Sequence, residues 1–98
     1  LRQMCRAYSA YMLKNQALIR LLVNNDIDYL LYDSFFDSMN HCECFLRGKD
    51  PCIRRYAASF YAGGLSRVAR EYAREDCAAS AEQLEGLLMV LFSGELFR

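Results

Sequence analysis

One histidine and three cysteines near the middle of the sequence are the side chains best suited to chemistry. His41, Cys42 and Cys44 stand almost side by side, and Cys52 follows closely. Imidazole nitrogen and thiolate sulfur are ligands that zinc prefers. Their spacing differs from the paired C-x-x-C knuckles of common zinc sites, and adjacent residues on a helix point in different directions. We therefore predict no metal site here, with a metal-sensing domain kept as an alternative.

A second candidate for metal binding is a line of polar side chains at helical spacing. Asp33, Asp37 and His41 stand at i, i+4 and i+8, so they share one face of a helix. The same line equally describes a solvated stripe, in which an Asp37–His41 pair contributes only about 0.2–0.5 kcal/mol. The solvated stripe is the simpler interpretation.

The chain offers little material for acid–base or nucleophilic catalysis. His41 is the single histidine, and no Ser-His-Asp set, Cys-His pair or glycine-rich phosphate loop is recognisable. Charged residues late in the chain are interpreted as a solvated face: Arg67, Arg70, Glu71, Arg74 and Glu75. We predict that the protein is not an enzyme and uses no cofactor.

The composition describes one small domain with more apolar surface than it needs. Its 98 residues are 54% hydrophobic and 13% aromatic, above the usual apolar share of about 45–50%. Surplus apolar surface predicts burial against a partner, and a homodimer provides this most simply.

Charge and cysteine content limit the other partners. Twelve basic and twelve acidic residues give a net charge of zero, without the basic surplus of a nucleic-acid-binding module. The chain has no run of about 18 apolar residues, so we predict no membrane contact. Five cysteines form an odd set without an extracellular framework, which favours reduced thiols in the cytoplasm.

Hydrophobic periodicity is helical throughout, and no alternating strand pattern is visible. We predict an all-α five-helix bundle, one domain over residues 1–98, with helices at 2–14, 17–23, about 26–46, 51–75 and 80–97. Asp26 is the expected N-cap of the third helix. The clearest boundaries are Asp50 before Pro51, and a capping box of Ser80 with Gln83.

Two adjacent glycines, Gly63 and Gly64, interrupt the predicted fourth helix. Each costs about 0.8–1 kcal/mol relative to alanine inside a helix. The missing side chains let another helix or a ligand approach the backbone, so we interpret both as close-packing positions. The segment from Phe60 to Leu65 resembles the penultimate helix of the C-terminal domain of TetR-type transcriptional regulators, in a subgroup common in Firmicutes.

Other segments extend this resemblance over most of the chain. Tyr8–Leu22 is similar to the opening signature of that subgroup, and Ala79–Leu84 to the start of its last helix. Tyr72 stands where the subgroup often has tryptophan. The resemblance implies an effector-sensing and dimerisation domain of a bacterial cytoplasmic repressor.

The same resemblance implies the partners. They are a second copy of the chain, and either a small apolar or aromatic effector or a protein co-regulator. DNA would be bound only through an N-terminal helix-turn-helix, which this chain lacks, and its start at Leu1 inside an amphipathic pattern fits a fragment. A free-standing helical interaction or adaptor domain is the alternative.

Small residues at helical spacing on the last two helices allow close approach of further helices. The alternative is that these positions only fit tight neighbours within the chain. The resemblance places dimerisation on the same two helices. The expected interface comprises Ala62, Leu65, Ala69, Gly86, Val90, Ser93, Gly94 and Phe97.

Aromatic residues supply a candidate ligand pocket, because such sites are mostly apolar with a few polar groups. A solid aromatic core is the alternative. The expected pocket lies between the third and fourth helices and is formed by Tyr8, Met12, Tyr32, Phe36, Phe60 and Tyr61.

Overall fold

The computed structural model describes residues 1–97, and these contain helices and turns without a β-strand. The helices are α1 (Arg2–Lys14), α2 (Gln16–Asn24), α3 (Tyr29–Asn40), α4 (Pro51–Arg74) and α5 (Ala81–Ser93), followed by a 3-10 turn at Glu95–Phe97. The predicted all-α class with five helices is confirmed.

Local capping groups begin α4 and α5 where the sequence predicts. The Asp50 carboxylate accepts a hydrogen bond from the Cys52 backbone N–H at 2.7 Å, ahead of Pro51. At α5, Ser80 Oγ accepts from the Gln83 N–H at 3.2 Å. Gln83 Oε1 accepts in return from the Ser80 N–H at 2.8 Å. Both predicted caps are therefore confirmed.

The ends of α3 and α5 differ from the prediction. The third helix was expected to reach about residue 46, but it ends at Asn40. Arg54 explains the early end, because its guanidinium donates to the backbone oxygens of Phe45 and Cys42 at 2.8 and 3.1 Å and holds the chain in turns. The last helix ends at Ser93 because Gly94 adopts a left-handed conformation with φ of 80°.

The expected N-cap of α3 was wrong as well. Asp26 lies in a turn with φ of 54°, and Asp28 occupies the cap position without a side-chain capping bond. The carboxylate of Asp28 accepts instead from Arg70 on α4 at 2.7 Å. An ion pair with a distant helix thus replaces the local cap.

Helix α4 is the centre of the bundle. Helix α3 runs antiparallel to it, since Asp28 contacts Arg70 while Tyr32 contacts Ser59. Helix α2 packs near the end of α4, where Gln16 donates to Tyr72, and α1 packs against α5. All five helices contribute to the core, including Met12, Ile19, Leu31, Leu65, Leu84 and Leu88. Within residues 1–97, no helix combines the length and the apolar character needed to cross a membrane.

Candidate functional site

A cavity of about 440 Å³ opens between α1, the end of α3, the turns after it and α4. Its walls are mainly apolar and aromatic, with Met4, Tyr8, Met39, Phe45 and Tyr61 among them. Ser38, Cys42 and Cys44 are among its more polar lining residues. An apolar cleft of this volume with a few polar groups has the character of a small-molecule site.

Aromatic contacts hold two walls of this cavity in place. The ring of Tyr8 meets Phe35 edge-on, with ring centroids 4.9 Å apart. Tyr61 makes similar contacts with Phe45 at 6.3 Å and with Phe92 of α5 at 5.1 Å. Tyr61 therefore links the cavity to the last helix.

The phenol of Tyr8 has a perturbed acidity. Burial raises the pKa of Tyr8 above its ordinary value, a hydrogen bond with the Ser38 side chain acts in the opposite direction, and the nearby Cys42 raises it further. The raised pKa favours the protonated phenol, which is a hydrogen-bond donor.

The residues predicted to form one pocket are divided among different environments. Tyr8 and Tyr61 line the cavity. Met12 is completely buried in the core, and the ring of Phe60 is 71% exposed. The expectation of a single pocket around all six was therefore wrong, because Met12 is enclosed by the core while the Phe60 ring is turned to solvent, and neither lines the cavity.

Tyr32 and Phe36 belong to α3 and stack on each other with ring centroids 5.8 Å apart. The hydroxyl groups of Tyr32 and Ser59 share a hydrogen bond of 2.8 Å. Tyr32 lines a separate cleft of about 390 Å³ beside Gly63. The expected site between α3 and the Gly-Gly segment is thus a different opening from the apolar cavity lined by Tyr8 and Tyr61.

Ion pairs occupy this second cleft. Arg70 bonds Asp28 at 2.7 Å and lies 3.6 Å from Asp26. The hydrogen bond and charge of Asp28 raise the pKa of the Arg70 guanidinium, with a smaller contribution from Asp26. Arg70 was expected on a solvated charged face, but its side chain is only 20% exposed and joins the turn before α3 to α4.

A third opening, an apolar groove of about 300 Å³, lies between the second half of α4 and α5. Val68 lines it from α4, and Leu87 and Leu91 line it from α5, with 47% and 40% of their surfaces exposed. Arg67, Glu71 and Glu75 also line this groove.

The same face of α4 continues toward its N-terminus. Ile53 and Phe60 are both exposed there. Their spacing from Gly64 and Glu71 places all four residues on one face of the helix. We call the surface formed by Ile53, Phe60, Val68, Leu87 and Leu91 the α4–α5 face. Four of its five residues are large exposed apolar side chains, of the kind that marks contact with a partner.

The predicted interface residues are only partly on this surface. Ala62, Leu65 and Ala69 are completely buried within the chain, so their expected place in an interface was wrong. They form the side of α4 that packs on neighbouring helices of the same chain.

On α5 and beyond, the predicted interface residues are more accessible. Gly86 is exposed, and Val90, Ser93 and Gly94 are half-buried. Phe97 is exposed in the 3-10 turn. Leu87 and Leu91 share the helical apolar spacing of the buried Leu84 and Leu88, although they line the open groove.

The two glycines of α4 have separate surroundings. A Cβ atom on Gly64 would lie 3.2 Å from the Phe92 ring, whereas a Cβ atom on Gly63 would meet nothing within 4 Å. Gly64 thus leaves room for the Phe92 ring of α5 against α4. Gly63 makes no such contact within the chain and lines the second cleft, so its predicted close-packing role stays a prediction.

The histidine and cysteines do not assemble around one point. All five cysteines are free thiols. Among residues 1–97, no group of three or more His, Cys, Asp or Glu side chains is arranged to hold a metal ion. The His41 ring nitrogen Nδ1 lies 2.7 Å from the backbone oxygen of Asp37, one helical turn earlier.

Comparison of the chain with protein-family models, curated proteins and solved structures found no match.

Proposed function

We propose that this chain is the ligand-sensing and homodimerisation domain of a bacterial cytoplasmic transcriptional regulator of the TetR type. The observation that carries the proposal is the α4–α5 face, which leaves large apolar side chains uncovered on the two helices that the resemblance assigns to dimerisation. In this proposal a second copy of the chain covers that face and completes a four-helix bundle.

Charge at the edge of the face suits a twofold arrangement. Arg67 and Glu75 both line the groove, and neither forms an ion pair with another described residue. They are two helical turns apart, about 12 Å along the axis. A twofold axis between them lets Arg67 approach Glu75 of the partner subunit, and the reverse pair forms by symmetry.

The apolar cavity provides a place for an effector in this scheme. Its wall residue Tyr61 lies on α4 and packs on Phe92 of α5, so Tyr61 connects the cavity to both helices of the α4–α5 face. An effector that binds one arrangement of these helices better than another shifts the population toward that arrangement. The spacing of two DNA-reading domains then changes relative to paired half-sites.

Sedimentation equilibrium tests the dimer. We expect the wild-type chain to be a dimer and the double variant Leu87→Lys, Leu91→Lys to be a monomer with unchanged helicity. The matched control is Leu18→Lys, Leu21→Lys, which changes two exposed leucines on α2 and leaves the dimer intact. A monomeric wild type, or a dimeric Leu87/Leu91 variant, would contradict the proposed interface.

The coding sequence preceding Leu1 tests the regulatory part of the proposal. We expect a basic helix-turn-helix segment of roughly 45–60 residues there. A preceding sequence without such a segment would favour a helical adaptor, in which a different protein covers the α4–α5 face.

A further inference from the structure

The apolar cavity is lined by two cysteines that the proposed regulatory function does not use. Cys42 and Cys44 lie on the turns between α3 and α4, line the cavity and are both exposed. Arg54 holds the backbone of this segment through the carbonyl oxygens of Cys42 and Phe45. An accessible thiol beside an apolar cavity can react with a molecule that the cavity first binds.

A hydrogen-bond donor lines the same cavity as these cysteines. Tyr8 and Cys42 are both among its wall residues, and burial raises the pKa of the Tyr8 phenol. A protonated phenol donates a hydrogen bond to a carbonyl oxygen, and this bond strengthens as negative charge develops on that oxygen. A thiol and a phenol together suit a molecule with an electrophilic carbon conjugated to a carbonyl, because the thiol can attack the carbon while the phenol donates to the carbonyl oxygen.

We propose that the cavity binds apolar α,β-unsaturated carbonyl compounds and captures them as thioether adducts on Cys42. The inference rests on the proposed effector site and names the class of effector. Met4, Phe45 and Tyr61 contact the apolar part of the compound, and Tyr8 donates to its carbonyl oxygen.

The reaction is a conjugate addition that needs no oxidant or reductant. The Cys42 thiol releases its proton to solvent, and the thiolate Sγ forms a bond to the β-carbon as the carbon–carbon π bond breaks. The electron pair moves onto the carbonyl oxygen as an enolate, which the Tyr8 hydroxyl stabilises. Water then protonates the α-carbon, so the net change is addition of S–H across the double bond.

The remaining cysteines provide internal references. Cys5 is completely buried, and burial raises the pKa of its thiol. Cys52 is exposed on the first turn of α4 but is outside the lining of the cavity. Reaction at Cys52 thus reports the intrinsic reactivity of a reagent, while reaction at Cys42 adds the contribution of the cavity.

Two reagents with the same reactive group test the proposal on the intact chain. N-benzylmaleimide carries an apolar ring, and N-(2-hydroxyethyl)maleimide carries a polar group of smaller apolar area. Peptide mass spectrometry after brief labelling gives the ratio of modification at Cys42 to that at Cys52. We expect this ratio to be about tenfold higher for the benzyl reagent, because its ring is buried in the cavity.

A cavity-filling variant and a matched control sharpen this test. Ser38 is exposed and lines the cavity, so we expect Ser38→Trp to fill the cavity and remove the preference for the benzyl reagent. Ser34 lies one turn earlier on α3 and outside the lining of the cavity. The control variant Ser34→Trp should therefore retain the preference. Equal ratios for both reagents in the wild type would overturn the proposal. So would a benzyl preference that persists in Ser38→Trp, or an adduct confined to Cys44.

Circular dichroism shows whether Ser38→Trp folds. If it does not, the comparison of the two reagents on the wild-type chain still tests the proposed site. Failure of this test leaves the dimer measurement unaffected, because the α4–α5 face contains neither thiol. A monomeric chain that still shows the preference for the benzyl reagent would instead contradict the proposed homodimerisation domain and support the proposed reaction at Cys42.

Discussion

At the scale of single residues, two adjacent glycines in one helix have different consequences. Gly64 faces the ring of Phe92, whose Cε1 atom would lie 3.2 Å from an added Cβ, while Gly63 faces open space. Both residues have the conformational cost of glycine in a helix, but only Gly64 is needed for the contact between α4 and α5.

Alanine at each position separates these effects. We expect Gly63→Ala to raise the free energy of unfolding by about 0.5–1 kcal/mol, because alanine restricts the unfolded chain more than glycine does. Gly64→Ala should raise the free energy of unfolding by less than Gly63→Ala does, or should lower it, because the Phe92 ring has to move. Urea unfolding of both variants measures the difference, and equal stabilisation would contradict the role given to Gly64.

At the scale of helices, some helix ends are fixed by hydrogen bonds between neighbouring residues, and others by hydrogen bonds from residues far along the chain. The start of α5 is local, because Ser80 and Gln83 satisfy each other's backbone N–H groups. The end of α3 depends on Arg54, which is twelve positions beyond Cys42. Sequence patterns identify the first kind of boundary and miss the second.

The capping box of α5 can be tested with two substitutions at one position. Ser80→Ala removes the acceptor for the Gln83 N–H and should lower stability by about 1 kcal/mol. Ser80→Thr keeps a hydroxyl oxygen as the acceptor and should retain most of the wild-type stability. Thermal unfolding measures both variants, and a loss of similar size in each would show that the side-chain bond is not the source of the effect.

At the scale of the whole molecule, buried phenols make folding sensitive to alkaline pH. Burial raises the pKa values of Tyr8 and Tyr72 above 10.0, although Gln16 donates a hydrogen bond to Tyr72 at 2.8 Å and acts in the opposite direction. A raised pKa in the folded state favours the protonated form. The associated stability is therefore complete below pH 10.0 and is lost as pH rises through the raised values.

Replacing one phenol should reduce this alkaline loss. Tyr72→Phe loses the bond from Gln16, at a cost of about 0.5–1.5 kcal/mol at neutral pH. Its stability should then decline less steeply than that of the wild type above pH 10.0. Urea midpoints across this range measure the slope, with Tyr56→Phe at an exposed position as the control. Parallel slopes for Tyr72→Phe and the wild type would refute the contribution of Tyr72.

The sequence by itself determined the helical class, the number of helices and the starts of α4 and α5. Helical periodicity is repeated in every segment, and the caps at Asp50 and Ser80 use partners within three residues. Local geometry is sufficient for such features, so no knowledge of the rest of the chain is required. The aromatic content likewise indicated Tyr8 and Tyr61 as possible ligand contacts, and both line the cavity.

Only the tertiary structure decided which side of each helix is covered. Periodicity defines the faces of a helix but not their neighbours, so Ala62 and Leu65 were placed at an interface although other helices of the chain bury them completely. Leu87 and Leu91 fit a core stripe in sequence and line an open groove in space. The cavity itself depends on the early end of α3, which an arginine from the next helix brings about through contacts that local sequence does not specify.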